Sequence, residues 1–265
     1  MTWYQALFVD IDGTIYFKGQ LIEGAIDFLK ELKENDVAIR YLTNTTSISP
    51  SKIVERLNSY GLDVIDQECF TPITAAQVYL EKHRNLSYYV AASPDLKREF
   101  DQSRWNDADP DCVVLGELRE VCSYEELNKI FTFISHGSRL FSTSYSPYFY
   151  TATGEKKMDT GAFARMFEAC LQIKAEIIGK PAPLFYQMAL ASVDIDTNQC
   201  IAVGDDIDTD ILGANQVDIF SVLVKTGKYD EAYVKASNIA PDAIVTSLSE
   251  TRKFFQSLYF ANISP

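Results

Sequence analysis

Short apolar runs alternate along the chain with longer segments in which apolar residues recur every three or four positions. The short runs predict buried β-strands, and the helical spacing predicts amphipathic helices. Strands and helices in this alternation are typical of an α/β fold with a parallel sheet. The predicted core strands lie at residues 6–9, 37–42, 176–178, 200–203, 220–224 and, more weakly, 243–245. One predicted core helix has its apolar positions at Ile22, Ile26 and Leu29, and another begins at Ser49-Pro50. Two further core helices are predicted at 183–192 and 248–258.

The middle of the chain contains its own alternation of strands and helices. Its predicted strands lie at residues 88–91, 112–115 and 139–142. Between the last two, Ser123 and Glu126 have the spacing of a capping box, which predicts the start of a helix. We therefore predict an α/β unit at residues 75–177, inserted into a core formed by residues 1–74 and 178–265.

Net charge and hydropathy narrow the classes of partner. The 265 residues carry a formal net charge of −13, whereas a surface that binds nucleic acid or anionic lipid needs clustered Lys and Arg. No apolar run approaches the length of about 18 residues that a membrane span requires. The first residues lack the basic start and long apolar stretch of a secretory signal. We therefore expect no nucleic-acid or membrane partner and a cytoplasmic location.

Cysteine and histidine usage argues against two kinds of site. The five cysteines are scattered and form no CxxC pair, which indicates neither a disulfide framework nor a zinc cluster. The two histidines, His83 and His136, have no partner motif of a Ser-His-Asp or Cys-His enzyme. Carboxylates are therefore the expected carriers of any chemistry.

Polar residues follow four of the predicted core strands. In chain order, these strands end in Asp10-Ile-Asp12-Gly13-Thr14, Thr43-Asn44-Thr45-Thr46, Gly179-Lys180-Pro181 and Gly204-Asp205-Asp206-Ile207-Asp208-Thr209-Asp210. In open parallel sheets, ligands bind in the crevice beyond the carboxyl ends of the strands. The four ends together would supply carboxylates, a hydroxyl, an amide and a lysine. This set suits a hard cation together with a phosphate group.

Three aspartates are the candidate metal ligands. Asp10, Asp12 and Asp205 supply the oxygen ligands that an octahedral Mg²⁺ prefers. Crowded carboxylates repel one another, so a cation among them would relieve an unfavourable concentration of charge. For Asp206 and Asp208, an ordinary solvated acidic turn is the preferred interpretation.

Single residues at these strand ends also have ordinary structural explanations. Taken alone, Lys180 is better explained as a surface lysine before a proline, and Thr43 is better explained as a helix cap. The pair Asp10 and Asp12 is harder to explain structurally, because a turn needs only one acidic residue. The order of all four motifs therefore favours catalysis.

The four motifs, taken together and in this order, resemble those of the haloacid dehalogenase (HAD) superfamily of phosphatases. An insertion between the second and third motifs is similar to the C2-capped, NagD-like branch (subfamily IIA). Within that branch, residues 43–46 and the stretch from Gly204-Asp205-Asp206 to residues 223–229 look most similar to the phosphatases of phospholysine, phosphohistidine and inorganic pyrophosphate. The resemblance implies a Rossmann-like, HAD-type parallel-sheet core with an inserted C2-type α/β cap.

The resemblance also implies a role for each motif residue. Asp10 would be the nucleophile that forms an aspartyl-phosphate, and Asp12 the general acid and base. Mg²⁺ would be held by a carboxylate oxygen of Asp10, the main-chain carbonyl of Asp12 and the side chain of Asp205. These expectations define a hydrolase of the HAD phosphatase type.

The remaining motif residues are expected to bind the phosphoryl group or to support the metal. Thr43 through its hydroxyl and Asn44 through its backbone N–H would bind phosphoryl oxygens. Lys180 would bridge Asp10 and the phosphate. Asp210 would act on the metal's water ligands rather than on the metal itself.

The expected function is Mg²⁺-dependent hydrolysis of phosphate monoesters of small metabolites. Two alternatives remain open: hydrolysis of P–N bonds or pyrophosphate, and a receiver-like phosphorylation switch. Relatives with this type of cap often associate through it, so a homodimer is a further expectation from the resemblance.

Overall fold

The computed structural model describes residues 4–150 and 155–255, which pack into two compact units. The first unit takes the described residues up to Thr43, Ile53–Phe70 and the described residues from Lys180 onward. The second takes Asn44–Lys52 and the described part of Thr71–Gly179. The predicted domain boundaries stay a prediction, and this packing differs from them mainly by joining residues 44–52 to the second unit.

The bounds of the elements follow in chain order. The strands are β1 (Ala6–Asp10), β2 (Tyr16–Phe17), β3 (Gln20–Leu21), β4 (Ala38–Leu42), β5 (Cys69–Phe70), β6 (Tyr88–Ala91), β7 (Cys112–Leu115), β8 (Arg139–Ser142), β9 (Tyr148–Tyr150), β10 (Lys156–Met158), β11 (Glu176–Ile177), β12 (Cys200–Gly204), β13 (Phe220–Val224) and β14 (Ala243–Val245). The α-helices are α1 (Ala25–Glu34), α2 (Pro50–Ser59), α3 (Pro72–Lys82), α4 (Pro94–Lys97), α5 (Tyr124–Ser135), α6 (Thr160–Leu171), α7 (Pro183–Leu190), α8 (Leu212–Asn215) and α9 (Glu231–Ala236). A π-helical segment, Ile207–Ile211, precedes α8.

The first unit is built on a parallel sheet in the order β14-β13-β12-β1-β4-β5. Every residue of β1 and β12 is buried, because the central strands of a parallel sheet are covered on both faces. Each fully buried large side chain on these strands contributes about 1.5–3 kcal/mol of hydrophobic stabilisation. The predicted α/β class with a parallel-sheet core is confirmed.

One predicted core strand is wrong. The sequence predicts a core strand at residues 176–178, but β11 pairs with β8 in the second unit, where Glu176 lies opposite Phe141. Two guanidinium N–H groups of Arg139 donate to the Glu176 carboxylate at 2.8 and 2.7 Å, which stabilises this pairing. Lys180 therefore comes from a connecting segment and not from the end of a core strand.

The core helices differ from prediction mainly at the ends of the chain. α2 begins at Pro50, as the Ser-Pro pair predicts. α1 begins at Ala25, so Ile22 precedes the helix, and its buried face consists of Ala25, Phe28, Leu29 and Leu32. The last predicted helix, 248–258, is a 3₁₀ helix over Leu248–Phe254. Its positions 256–258 lie outside the described residues.

The second unit contains a parallel sheet in the order β11-β8-β7-β6. The predicted capping residue Ser123 opens α5, since its hydroxyl accepts a hydrogen bond from Glu126 N at 3.0 Å. An antiparallel pair, β9 and β10, follows β8 in the chain. Across residues 4–150 and 155–255, no helix combines the length and apolar composition needed to cross a membrane.

Asp111 stabilises the second unit in a pH-dependent way. Ser87 donates to Asp111 Oδ2 from its hydroxyl and from its backbone N–H, each at 2.7 Å. These hydrogen bonds lower the pKa of the Asp111 carboxyl below its ordinary value. Asp111→Asn should therefore lower the free energy of unfolding by about 1 kcal/mol at neutral pH. Because the pKa of Asp111 is lower in the folded protein, its carboxylate stabilises the fold at pH values above the unfolded pKa of about 3.9. The loss of stability in Asp111→Asn should therefore shrink as the pH falls through the folded pKa.

Urea unfolding of both proteins between neutral pH and pH 3 measures this difference. Asp109→Asn is the matched control, because the Asp109 side chain makes no hydrogen bond or ion pair with any described residue. A loss of stability that is the same at every pH would contradict the account of Asp111.

Candidate active site

The candidate site lies at the carboxyl ends of β12, β1 and β4, which are neighbours in the sheet of the first unit. Asp10 is the last residue of β1, and Thr43 follows β4. Asp205 follows the last residue of β12. Because parallel strands end at one edge of a sheet, these side chains project into a common crevice.

A buried lysine links two of the aspartates. Lys180 Nζ lies 2.5 Å from Asp10 Oδ1 and 2.7 Å from Asp210 Oδ1. All three residues are at most 6% exposed. The Thr14 hydroxyl donates to the other Asp10 oxygen at 3.2 Å, so both oxygens of this carboxylate are held. Burial lowers the pKa of Lys180, but the Asp10 and Asp210 carboxylates raise it by more, so the lysine is held in its charged form.

Three buried carboxylates form a candidate metal centre. Asp10, Asp205 and Asp210 each offer an oxygen, and these oxygens lie within 4.8 Å of one another. Asp210 was predicted only to support the metal's water ligands. Its oxygen lies as close to this group as those of Asp10 and Asp205. The side chain of Asp12 is not in this group, which is compatible with the predicted use of its main-chain carbonyl.

The charge of this cluster fits a cation. Burial raises the pKa of Asp10 well above its ordinary value, and Asp210 and Asp205 add to the rise while Lys180 opposes it. Burial, followed by the charge of Asp210, raises the pKa of Asp205 to about 7. Lys180 opposes these three carboxylates, and Lys228, whose charge also acts on Asp205, is paired with another aspartate. The excess negative charge that remains is the environment that a divalent cation stabilises.

Two glycines leave room for the Asp205 carboxylate. Gly13 and Gly227 have positive φ angles, 98° and 56°, and a Cβ atom on either would collide with the Asp205 carboxylate. Lys228 N donates to Asp205 Oδ2 at 2.6 Å, and the Thr226 hydroxyl donates to Gly13 O at 2.5 Å. The loop after β13 therefore positions the candidate metal-binding carboxylate. The sequence linked this loop to the family resemblance but predicted no role for it in the site.

Asp210 is positioned by a residue that the motifs also missed. The Tyr186 hydroxyl on α7 donates to Asp210 O at 3.0 Å and is fully buried. Asp206 N donates to Asp210 Oδ2 at 3.1 Å. Asp206 itself pairs with Lys228 at 2.8 Å, and Asp208 accepts a hydrogen bond from Tyr233 at 2.6 Å.

The candidate acid–base residue Asp12 and the phosphoryl-binding candidate Thr43 belong to the same unit as this cluster. Asp12 is exposed, and the Thr43 hydroxyl donates to Asp12 Oδ2 at 3.4 Å. Thr43 is only 2% exposed. Asn44 follows Thr43 in the chain but belongs to the second unit.

Two family models match most of the chain. A model of haloacid dehalogenase-like hydrolases matches residues 7–106, and a model of HAD-hydrolase-like proteins matches residues 177–251. The phospholysine phosphohistidine inorganic pyrophosphate phosphatase of Xenopus laevis is 30% identical over 252 residues, which are 92% of each chain. The human haloacid dehalogenase-like hydrolase domain-containing protein 2 is 32% identical over 228 residues, 85% of each chain.

Solved structures of phosphatases have the same fold. The 4-nitrophenylphosphatase of Thermotoga maritima superposes with a TM-score of 0.86 at 26% identity, covering 94% of this chain and 97% of its own. NagD of E. coli K-12 superposes with a TM-score of 0.84 at 25% identity, covering 94% and 98%.

The fold and the matches to known proteins identify the chain as a hydrolase. Its candidate site combines carboxylates with a buried lysine. The chain belongs to the haloacid dehalogenase-like hydrolase family. Within that family it is a NagD-like phosphatase, which confirms the resemblance found in the motifs.

The packing of Asp205 against Gly227 predicts the effect of adding one methyl group. Gly227→Ala should displace the carboxylate and weaken Mg²⁺ binding, measured by titration calorimetry, by at least about tenfold. Gly19→Ala is the control, because Gly19 also has a positive φ, but an added Cβ there would meet no described atom within 4 Å beyond its chain neighbours. Equal affinities for the two variants would show that backbone strain, and not the collision with Asp205, causes any loss.

Proposed function

We propose that this phosphatase hydrolyses phosphate monoesters of small metabolites with Mg²⁺ and an aspartyl-phosphate intermediate. The observation that carries the proposal is the buried contact of Lys180 with Asp10 beside two further carboxylates. A nucleophile, a fixed positive charge and a candidate metal centre then lie within one crevice, as phosphoryl transfer requires.

Asp10 is the proposed nucleophile. Its carboxylate is held by Lys180 and Thr14, so the attacking group is already oriented before substrate binds. One carboxylate oxygen attacks phosphorus, the bond from phosphorus to the leaving-group oxygen breaks, and an aspartyl-phosphate forms. Water then attacks phosphorus, the bond to Asp10 breaks, and inorganic phosphate leaves.

Asp12 is the proposed general acid and base. It gives a proton to the leaving-group oxygen in the first step and takes a proton from the attacking water in the second. Asp12 is exposed and accepts a hydrogen bond from the buried Thr43 hydroxyl. This position supports the proposal that its carboxylate can reach a bound substrate.

The proposed Mg²⁺ ligands are Asp10, the main-chain carbonyl of Asp12, and Asp205, with Asp210 supporting. When bound, the ion offsets the repulsion between an anionic nucleophile and an anionic phosphoryl group. Asp210 keeps its predicted supporting role in this proposal, with its Oδ1 paired with Lys180.

The phosphoryl oxygens are proposed to bind the Thr43 hydroxyl, the Asn44 backbone N–H and Lys180. Lys180 is suited to this role because its buried ammonium is held charged by Asp10 and Asp210. The second unit is proposed to be the C2-type cap that sets specificity, with homodimerisation through it. A cytoplasmic location likewise stays a prediction.

The second candidate function is hydrolysis of P–N bonds or pyrophosphate. The observation that favours it is the 30% identity to a phospholysine phosphohistidine inorganic pyrophosphate phosphatase over nearly the whole chain. The same nucleophile and acid would serve, because an amine leaving group also departs with a proton. A receiver-like switch is not retained, because the chain is a phosphatase.

The roles of Asp10 and Asp12 predict different kinetics with p-nitrophenyl phosphate. Asp10→Asn should abolish Mg²⁺-dependent hydrolysis, because no acyl phosphate can form. Asp12→Asn should release at most one nitrophenol per active site in a rapid burst and then turn over at least about a hundredfold more slowly than the parent. This leaving group departs without a proton, whereas the attacking water still needs a base.

Rapid-quench measurement of nitrophenol, with EDTA and Mg²⁺ arms, tests both variants. Asp27→Asn is the matched control, since Asp27 lies exposed in the first turn of α1. Unchanged turnover in Asp12→Asn would overturn the acid–base assignment, and hydrolysis by Asp10→Asn would overturn the nucleophile.

A substrate panel separates the two candidate functions. Under the ester proposal, kcat/KM for the best phosphate monoester exceeds that for phospholysine, imidodiphosphate and pyrophosphate. A higher kcat/KM for any of these three would replace the ester proposal with the P–N or pyrophosphate alternative.

A further inference from the structure

Tyr16 is a buried tyrosine beside the candidate acid–base group, and the proposed mechanism gives it no role. It begins β2, four residues after Asp12, and is 8% exposed. The chain turns tightly between the two residues: Gly13 N donates to Tyr16 O at 2.7 Å, and Asp12 and Tyr16 form an isolated β-bridge. The turn therefore fixes the backbone of Tyr16 relative to that of Asp12.

The side chain of Tyr16 is also fixed. Arg56 Nη1 on α2 donates to the Tyr16 hydroxyl oxygen at 3.2 Å, and the guanidinium lies 5.9 Å from the centre of the ring. The Tyr60 ring packs against Tyr16 edge to face, with centroids 5.8 Å apart and an interplanar angle of 61°. These contacts hold the ring and the hydroxyl of Tyr16 in place.

The hydrogen bond from Arg56 decides where the Tyr16 hydroxyl points. A guanidinium only donates, so it occupies an acceptor position of the phenol oxygen, and the single O–H must find another acceptor. The Asp12 carboxylate is a hydrogen-bond partner of the Tyr16 side chain, and the β-bridge keeps the two residues adjacent. A phenol is protonated at neutral pH, so Tyr16 donates this hydrogen bond.

We propose that Tyr16, oriented by Arg56, is a positioning residue that holds the Asp12 carboxylate in the orientation for proton transfer to the leaving group. The inference rests on the proposed function, in which Asp12 is the general acid and base. Asp12 is exposed at the crevice, where an unsupported carboxylate would rotate among several rotamers. Tyr16 itself exchanges no proton with the substrate; the proton passes between Asp12 and the leaving-group oxygen or water.

The test compares two aryl phosphates of similar shape. Phenyl phosphate needs a proton for its leaving group, whereas p-nitrophenyl phosphate needs little help, and kcat/KM reports the step that forms the aspartyl-phosphate. Tyr16→Phe should lower kcat/KM for phenyl phosphate by about tenfold, the value of one hydrogen bond to a charged group. The loss with p-nitrophenyl phosphate should stay below about threefold. A purely structural role would lower both alike.

A second variant and a matched control guard against misfolding. Arg56→Gln removes the group that orients the hydroxyl, so it should give the same selective loss with the Tyr16 ring intact. The double variant Tyr16→Phe/Arg56→Gln should lose no more than Tyr16→Phe alone, because both changes act on one hydrogen bond. Tyr60→Phe, which removes a hydroxyl from the neighbouring ring, should keep both activities.

The reference variant Asp12→Asn separates this inference from the proposed function. If Asp12→Asn loses kcat/KM selectively with phenyl phosphate but Tyr16→Phe and Arg56→Gln do not, the positioning role is wrong and the mechanism stands. If the parent hydrolyses neither ester with Mg²⁺, the proposed function is wrong. Equal losses on both esters in Tyr16→Phe and Arg56→Gln would also overturn the positioning role.

Discussion

The ion pairs of Lys180 with Asp10 and Asp210 are the contacts on which the site depends. A buried lysine between two buried carboxylates is costly to desolvate, and it is stable only because each partner satisfies the other. Removing either side would leave an uncompensated charge in the interior. The arrangement nevertheless leaves a net negative charge, since two carboxylates share this lysine and Asp205 adds a third beside them. This residual charge makes the crevice a candidate cation site.

The rest of the first unit serves to hold these charges at one place. The parallel register of β12, β1 and β4 brings Asp205, Asp10 and Thr43 to the same edge. Gly227 and the loop after β13 leave room for the Asp205 carboxylate, and Tyr186 anchors the backbone of Asp210. Helices and strands thus fix the groups that we propose to meet a phosphoryl group, which would reduce the reorganisation needed during the reaction.

The sequence predicted the fold class and that Asp10, Lys180 and Asp205 come from segments that meet at one edge of the sheet, because strand patterning and strand-end polarity are local signals. It failed where pairing is decided over long distances. The run at 176–178 has the composition of a core strand, yet its pairing with β8 and the contact between Arg139 and Glu176 place it in the other sheet. The supporting contacts of Gly227 and Tyr186 were also missed, since they link segments far apart in the chain and have no spacing that a motif could reveal.

Thermal unfolding of Asp205→Asn in EDTA and in Mg²⁺ tests the central claim that excess buried negative charge creates the cation site. The asparagine keeps an oxygen that can accept the hydrogen bond from Lys228 N while removing one charge. The account predicts a melting temperature about 2–4 °C above that of the parent in EDTA, because repulsion is relieved, together with loss of the stabilisation by Mg²⁺. A lower melting temperature in EDTA with the Mg²⁺ effect retained would contradict it.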